Sequence, residues 1–327
     1  MKVFITGATG FIGVHLTMKL AEEGHTVHAL CRTEEKAKLI THPGVRIFYG
    51  HILNEDSIMQ GMEGCTVIFH LAAYARVWAK DPKTFYDINV KGTTLLLDCA
   101  LKQQVKKVII TSTAGVFGPS VDGKIINEDI VRSIKFFNEY ERTKSIADTV
   151  AGDYNNRGLD IMIVYPTRVF GPGLLSQSNS ATILIDKYIR GKWHFVPGNG
   201  KGIGNYVYID DVVKGHMLVL EKGRSGEHYL LGGDNVSYHD FFRILKEVSG
   251  EKYRLYNLPL FIMLAASKIM MAMANIFSLP PLITPGFVKR YVYHWECSSA
   301  KAENELGYSP MTLAEGVKKT IRWLKQN

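Results

Sequence analysis

Cysteine is scarce. Cys31, Cys65, Cys99 and Cys297 are the only four in 327 residues. They lie too far apart for a C-x-x-C pair or a Cys/His ligand set, so neither a disulfide framework nor a metal site is expected. Four isolated thiols fit buried, reduced side chains and a cytoplasmic location. A dense basic run is also missing. Lys plus Arg is 39 against 31 Asp plus Glu, a net charge of +8 spread along the chain. A nucleic-acid surface needs clustered cations with aromatics between them, so no nucleic-acid partner is expected. Met1-Lys2 leads straight into an apolar strand pattern without a secretory leader. Repeats and low-complexity stretches are absent. The nearest approach to a membrane span is Leu258 to Ile283, and Pro259, Lys268, Asn275 and Pro280-Pro281 break it. A span needs ~20 nearly uncharged residues. This segment reads as a buried helix or a Met-rich lid over an apolar pocket. Peripheral membrane contact through 258–283 is a further expectation.

Apolar residue types are plentiful. At 46% hydrophobic composition the chain can build a large core, as one big domain or two coupled ones. Its organising stretch is the beginning, Lys2-Val3-Phe4-Ile5-Thr6-Gly7-Ala8-Thr9-Gly10-Phe11-Ile12-Gly13. A short β-type run is followed by glycines spaced G-x-x-G-x-x-G, then by apolar residues at helical spacing, Phe11, Ile12, Leu16 and Leu20. Strand, glycine turn and helix form the first half of a dinucleotide-binding βαβ unit. A helix start offers unpaired N–H groups and the positive end of a dipole to a pyrophosphate. Side chains at Gly7 or Gly10 would hold the phosphates away, and Gly13 lets the helix pack closely on the strand. The helix closes at Gly24.

Thr26 to Arg32 reads as the second strand. Where an NAD-binding unit carries an acid for the ribose 2′-hydroxyl, this chain has Cys31 followed by Arg32. A guanidinium suits a 2′-phosphate, so NADP(H) is expected in preference to NAD(H). Further strands are expected at Val45–Tyr49, Thr66–Ala73, Val105–Thr113 and Asp160–Tyr165. Asn54 caps a short helix, Asp81-Pro82 opens a long one running to about Gln104, and Asn138–Asn156 is another. Alternation of this kind is the signature of a doubly wound parallel sheet in an α/β fold. Residues 1–170 are assigned to it. Residues 171–327 form a smaller, loop-rich substrate region, with 206–232 returning to the first domain. Tyr238–Ser249 reads as an amphipathic helix. His70 reads as a packed histidine. Tyr74 and Trp78 are either pocket lining or core aromatics.

Tyr140-Glu141-Arg142-Thr143-Lys144 places Tyr140 and Lys144 four apart on one helix face. A tyrosine near its reference pKa of about 10 is a poor proton carrier at neutral pH. An ammonium one turn along, with a positively charged nicotinamide, stabilises the phenolate. Thr111-Ser112-Thr113 follows the fifth strand and offers a hydroxyl for the substrate oxygen.

These pieces resemble the extended short-chain dehydrogenase/reductases, the NAD-dependent epimerase/dehydratase superfamily. The matching motifs are the glycine turn, His70-Leu71-Ala72-Ala73, Asn89-Val90-Lys91-Gly92-Thr93, Thr111 to Gly115, Tyr140 with Lys144, Pro166-Thr167-Arg168-Val169-Phe170-Gly171-Pro172-Gly173 and Asn205 to Val212. The resemblance implies a Rossmann sheet and catalysis by Thr113, Tyr140 and Lys144, with Ser112 as the fallback hydroxyl. It implies cofactor contacts from Gly7, Thr9, Gly10, Phe11, Ile12, Gly13, Arg32, Ile52, Leu71, Ala72, Ala73, Tyr140, Lys144, Pro166 and Val169, and a homodimer. The family often has Asp after the third strand, where His51 stands here. Dehydratases carry an acidic pair where Ala114-Gly115 stand. Many sugar-nucleotide epimerases carry an arginine where Gly202-Ile203-Gly204-Asn205 stand. The pieces are most similar to the dihydroflavonol 4-reductase and 3β-hydroxysteroid dehydrogenase branch. That implies ketone/alcohol interconversion on a small apolar or polycyclic molecule. The alternative is a nucleoside-diphosphate-sugar epimerase with tightly bound NAD(P).

Overall fold

Val3, Phe4 and Ile5 take the centre of the main sheet because apolar layers cover both faces of their strand, leaving all three fully buried. A computed structural model describes residues 1–327, the side chain of Gln177 excepted. The strands are β1 (Lys2–Thr6), β2 (Thr26–Cys31), β3 (Val45–Tyr49), β4 (Val67–His70), β5 (Lys107–Thr111), β6 (Asp160–Pro166), β7 (Arg168–Phe170), β8 (Phe195–Pro197), β9 (Ile203–Tyr208), β10 (His228–Leu231), β11 (Asp234–Ser237) and β12 (Tyr256–Leu258). Seven of them form one parallel sheet in the order β10-β6-β5-β4-β1-β2-β3. The fold is therefore a doubly wound α/β sheet. The winding reverses between β1 and β4, and ligands of such sheets bind beyond the strand ends at that crevice. The glycine turn follows β1 and Leu71–Ala73 follow β4, so both flank it.

At Pro166 the chain leaves the main sheet. β7, β9 and β11 form a small second sheet, β8 and β12 a two-stranded one, and β10 returns to the edge of the main sheet beside β6. Helix Tyr238–Ser249 ends at Gly250, whose φ of +77° closes the helix in a left-handed cap. The long helix expected from Asp81 has three parts: Lys83–Tyr86, a π turn at Asp87–Lys91 and Gly92–Lys102. The wide turn carries Asn89, which accepts from Tyr74 N at 2.7 Å and donates to Thr143 Oγ1 at 2.9 Å. It thereby ties the loop after β4 to the helix that carries Tyr140.

Of the alternatives for 258–283, the buried helix fails. Helix Leu260–Phe277 is not buried: within it only Ser267 and Ala274 are. It packs one side on the short helix Pro285–Lys289 and turns its apolar remainder to solvent. Hydropathy reports what a segment is made of and not what covers it.

Candidate active site

The opening turn is tighter than its motif suggests. Gly7 has φ +72°, and a Cβ there would stand 2.6 Å from Ala72 N and from Leu71 C. Gly7 is therefore required by the neighbouring β4 extension before any phosphate is considered. A Cβ at Gly13 would collide with Gly7 O, which accounts for the close seating of helix Phe11–Glu22 on the turn. Gly10 is the N-cap and provides no side-chain hydrogen bond, so the first-turn N–H groups stay available to an anion. Thr9 lies in this turn, Phe11 is buried and Ile12 is half-buried. Leu71, Ala72 and Ala73 run half-buried past Thr6, whose carbonyl accepts from Leu71 N at 3.0 Å. These residues fit a dinucleotide pyrophosphate.

At the other end of the crevice, Arg32, Tyr49, Gly50, His51, Asn54 and Ser57 line a cavity of about 400 Å³. The His51 pKa is lowered by burial and by the Arg32 charge, which places the two together. Tyr49, Asn54 and Ser57 were not legible as lining, although Asn54 also caps its helix by accepting from Ser57 N at 2.7 Å. Ile52 is buried, packs where Gly92 leaves space and belongs by its side chain to the core. Cys31 is buried as well, and burial pushes its thiol up to about 11.

Helix Glu139–Asn156, which carries Tyr140 and Lys144, packs against the turn after β5 that carries Thr113. Helix Glu139–Asn156 starts at Asn138, whose side chain accepts from Glu141 N at 2.8 Å. Lys144, 1% exposed, donates from Nζ to Thr111 O at 2.9 Å. Ser112 is not a free hydroxyl: it is buried and donates to Asp148 Oδ2 at 2.7 Å. Thr113 Oγ1 accepts from Gly115 N at 3.2 Å, which leaves its hydroxyl hydrogen available. Gly115 separates Thr113 from Glu141, because a Cβ there would lie 3.3 Å from Glu141 Cγ and 3.4 Å from Thr113 Oγ1. The expected lowering of the Tyr140 pKa does not come from the chain alone. Burial, then the Asp148 and Glu141 carboxylates, push it up, and Arg290 opposes them. Lys144 is committed to Thr111, and its own pKa is lowered by burial against the pull of Asp148.

Several supporting residues escaped sequence reasoning. Glu141 is buried and accepts from Arg132 Nη2 at 3.1 Å, Arg290 Nη1 at 2.7 Å, Phe137 N at 3.2 Å and Asn138 Nδ2 at 3.1 Å. No arginine stands at 202–205, but Arg168 reaches that place from β7: a Cβ at Gly204 would lie 2.7 Å from its Nη1. Arg168 donates to Tyr238 OH at 2.7 Å and Tyr206 OH at 3.2 Å. The glycine at 204 was the only sequence signal of this approach. Val169 and Pro166 are buried beside it. His70 is fully buried between Thr6 Oγ1 and Thr93 Oγ1, and burial lowers its pKa to about 3, so it is a neutral packed histidine. Tyr74 meets Phe85 edge-on at 4.9 Å, and Trp78 is half-buried. A cavity of about 1240 Å³ lies behind the Tyr140 helix, lined by Arg142, Ser145, Asp148 and Thr149; Thr113, Tyr140 and Lys144 are not in its wall.

A parallel sheet with a glycine turn at its switch point and a Tyr/Lys pair beside a strand-end hydroxyl defines a dinucleotide-dependent enzyme. Residues 3–232 match the NAD dependent epimerase/dehydratase family, and the chain belongs to that family. It is an NAD(P)-dependent oxidoreductase of the extended short-chain kind. A putative dihydroflavonol 4-reductase of Synechocystis sp. is 26% identical over 99% of this chain and 94% of its own. Sterol demethylase protein B of Methylococcus capsulatus is 27% identical over 100% and 99%. The crystal structure of gox2253 is 28% identical, with TM-score 0.83, covering 99% of this chain and 98% of that one.

Proposed function

We propose that this chain is an NADP(H)-dependent oxidoreductase that interconverts a ketone and a secondary alcohol on a small apolar or polycyclic substrate. The observation that carries the reading is the arrangement at the end of β5. Lys144 is fixed to Thr111 O, the Thr113 hydroxyl stands two residues on, and Tyr140 precedes Lys144 by one helical turn. The nicotinamide, when bound, supplies or receives the hydride. Thr113 orients the substrate oxygen with its free hydroxyl hydrogen. Tyr140, held protonated by its surroundings, gives its proton to the oxygen of the carbonyl being reduced. Lys144 then faces the phenolate with a fixed positive charge. In the oxidative direction the same proton returns. The relatives named for dihydroflavonol reduction and sterol demethylation support the substrate class.

Two measurements test this reading. Tyr140→Phe is expected to lower kcat by about 10²- to 10⁴-fold, the usual worth of a positioned proton donor, with NADPH affinity kept. A near-normal rate rejects the assignment. Arg32→Ala is expected to raise the KM for NADPH about ten- to a hundredfold while sparing NADH, since charged hydrogen bonds contribute ~1.5–3 kcal/mol. Equal effects on both cofactors remove the case for NADP(H).

A further inference from the structure

An apolar helix in water needs an occupant for its outer face, and helix Leu260–Phe277 has such a face. Phe261 is 74% exposed, Ile269 63% and Ile276 73%, with Ile262 and Met273 beside them. At 100° per residue these five fall within one third of the helix circumference, and Ala265 and Ala272 fall between them. The opposite side carries the buried Ser267 and Ala274 and packs on helix Pro285–Lys289. A stripe of this kind on a soluble domain marks an interaction surface.

Charge selects among possible occupants. From Lys252 to Trp295 the chain contains no Asp or Glu. Its cations are Lys252, Arg254, Lys268, Lys289 and Arg290, of which only Arg290 is consumed by a carboxylate, Glu141. The other four are exposed. An apolar stripe with the exposed Lys268 at its edge, in a segment that holds unpaired cations and no acids, matches a surface that is apolar beneath and anionic above. It does not match a second copy of the same face, which would set like charges against each other. By length and composition the helix is able to cross a bilayer. Crossing, however, would carry Lys268 into its middle and strip away the contact with Pro285–Lys289.

We infer that helix Leu260–Phe277 lies flat in the interface of an anionic lipid bilayer, with Phe261, Ile269 and Ile276 among the acyl chains and Lys268, with the exposed cations of the same acid-free segment, drawn to the headgroups. The inference stands apart from the reaction proposed above, since none of these residues lies in the Tyr140 site. It bears on that reaction by placing the enzyme on the phase where apolar substrates dissolve.

The test is co-sedimentation of the full chain with phosphatidylcholine vesicles, with and without phosphatidylserine, alongside Ile269→Glu and Lys252→Glu/Lys268→Glu variants. Binding is expected to phosphatidylserine-containing vesicles and to weaken with salt. It should drop at least about tenfold in Ile269→Glu, because a charge replaces buried apolar surface. The double variant should lose at least about fivefold per position, because each Lys→Glu removes a cation and adds an anion. Melting temperature and NADPH affinity, measured on the same samples, show that the variants remain folded. Absence of vesicle binding by the folded wild type overturns the inference. So does binding that ignores phosphatidylserine, or that survives Ile269→Glu. Light scattering supplies the remaining arm: a wild-type oligomer that Ile269→Glu dissociates makes a second copy the occupant and sinks the membrane assignment.

Discussion

Two carboxylates on the Tyr140 helix stand two turns apart and are treated in opposite ways. Glu141, in the first turn, is buried and surrounded by donors: two guanidiniums, an amide side chain and a backbone N–H. Asp148 accepts from Ser112 and lies near the buried Lys144, yet burial outweighs these and raises its pKa to about 6. A fully matched charge fastens parts of the fold together. An incompletely matched charge answers to pH, and here it does so next to Lys144, the lysine of the proposed reaction.

The largest test of this contrast is Glu141→Gln. It leaves Arg132 and Arg290 facing a neutral amide. Breaking a buried pair of this kind costs about 3–5 kcal/mol, so chemical denaturation should show a loss of that order. A loss under about 1 kcal/mol would make the cluster no better than a surface ion pair.

Asp148→Asn probes the other carboxylate. Because the folded-state pKa lies above the ordinary 3.8, the native protein takes up the proton first. The group's stabilising contribution is complete below pH 3.8 and is lost as pH rises through about 6. Asp148→Asn should flatten the stability profile in that window. It should also move the alkaline limb of the kcat profile to lower pH, since Lys144 loses the charge that supports its ammonium. An unchanged alkaline limb would show that Asp148 has no hold on Lys144.

Ser112→Ala is the mildest. It removes one hydrogen bond to Asp148 and should cost about 1.5–3 kcal/mol. It should raise the Asp148 pKa, visible as an upward shift of the acid-side stability transition. A downward shift would assign the bond the wrong sign.

Much of this geometry was legible because it is local. The glycine turn, the alternation of strand and helix, and the Tyr140–Lys144 spacing are each set by residues within a few turns of one another. Contacts between distant residues were not. Arg290 meets Glu141 across 149 positions, and Arg168 fills the space over Gly204 from another strand of the second sheet. The spacing shows Lys144 beside Tyr140 but not the carboxylates and burial that raise the Tyr140 pKa when no nicotinamide is present. For the apolar segment near the C-terminus only the buried-helix alternative fails, for a related reason. Composition set its helix, but only the fold decided which neighbours it found.

The Arg290–Glu141 pair has a consequence for biosynthesis. A nascent chain that has emerged through the entire seven-stranded sheet still lacks one of the two guanidiniums that clamp the start of the Tyr140 helix. Residue 290 must leave the ribosome before that clamp closes. The seven-stranded sheet is thus complete in sequence well before the Tyr140 helix gains its second clamp, and a product truncated between the two would keep Arg132 as the only guanidinium on Glu141.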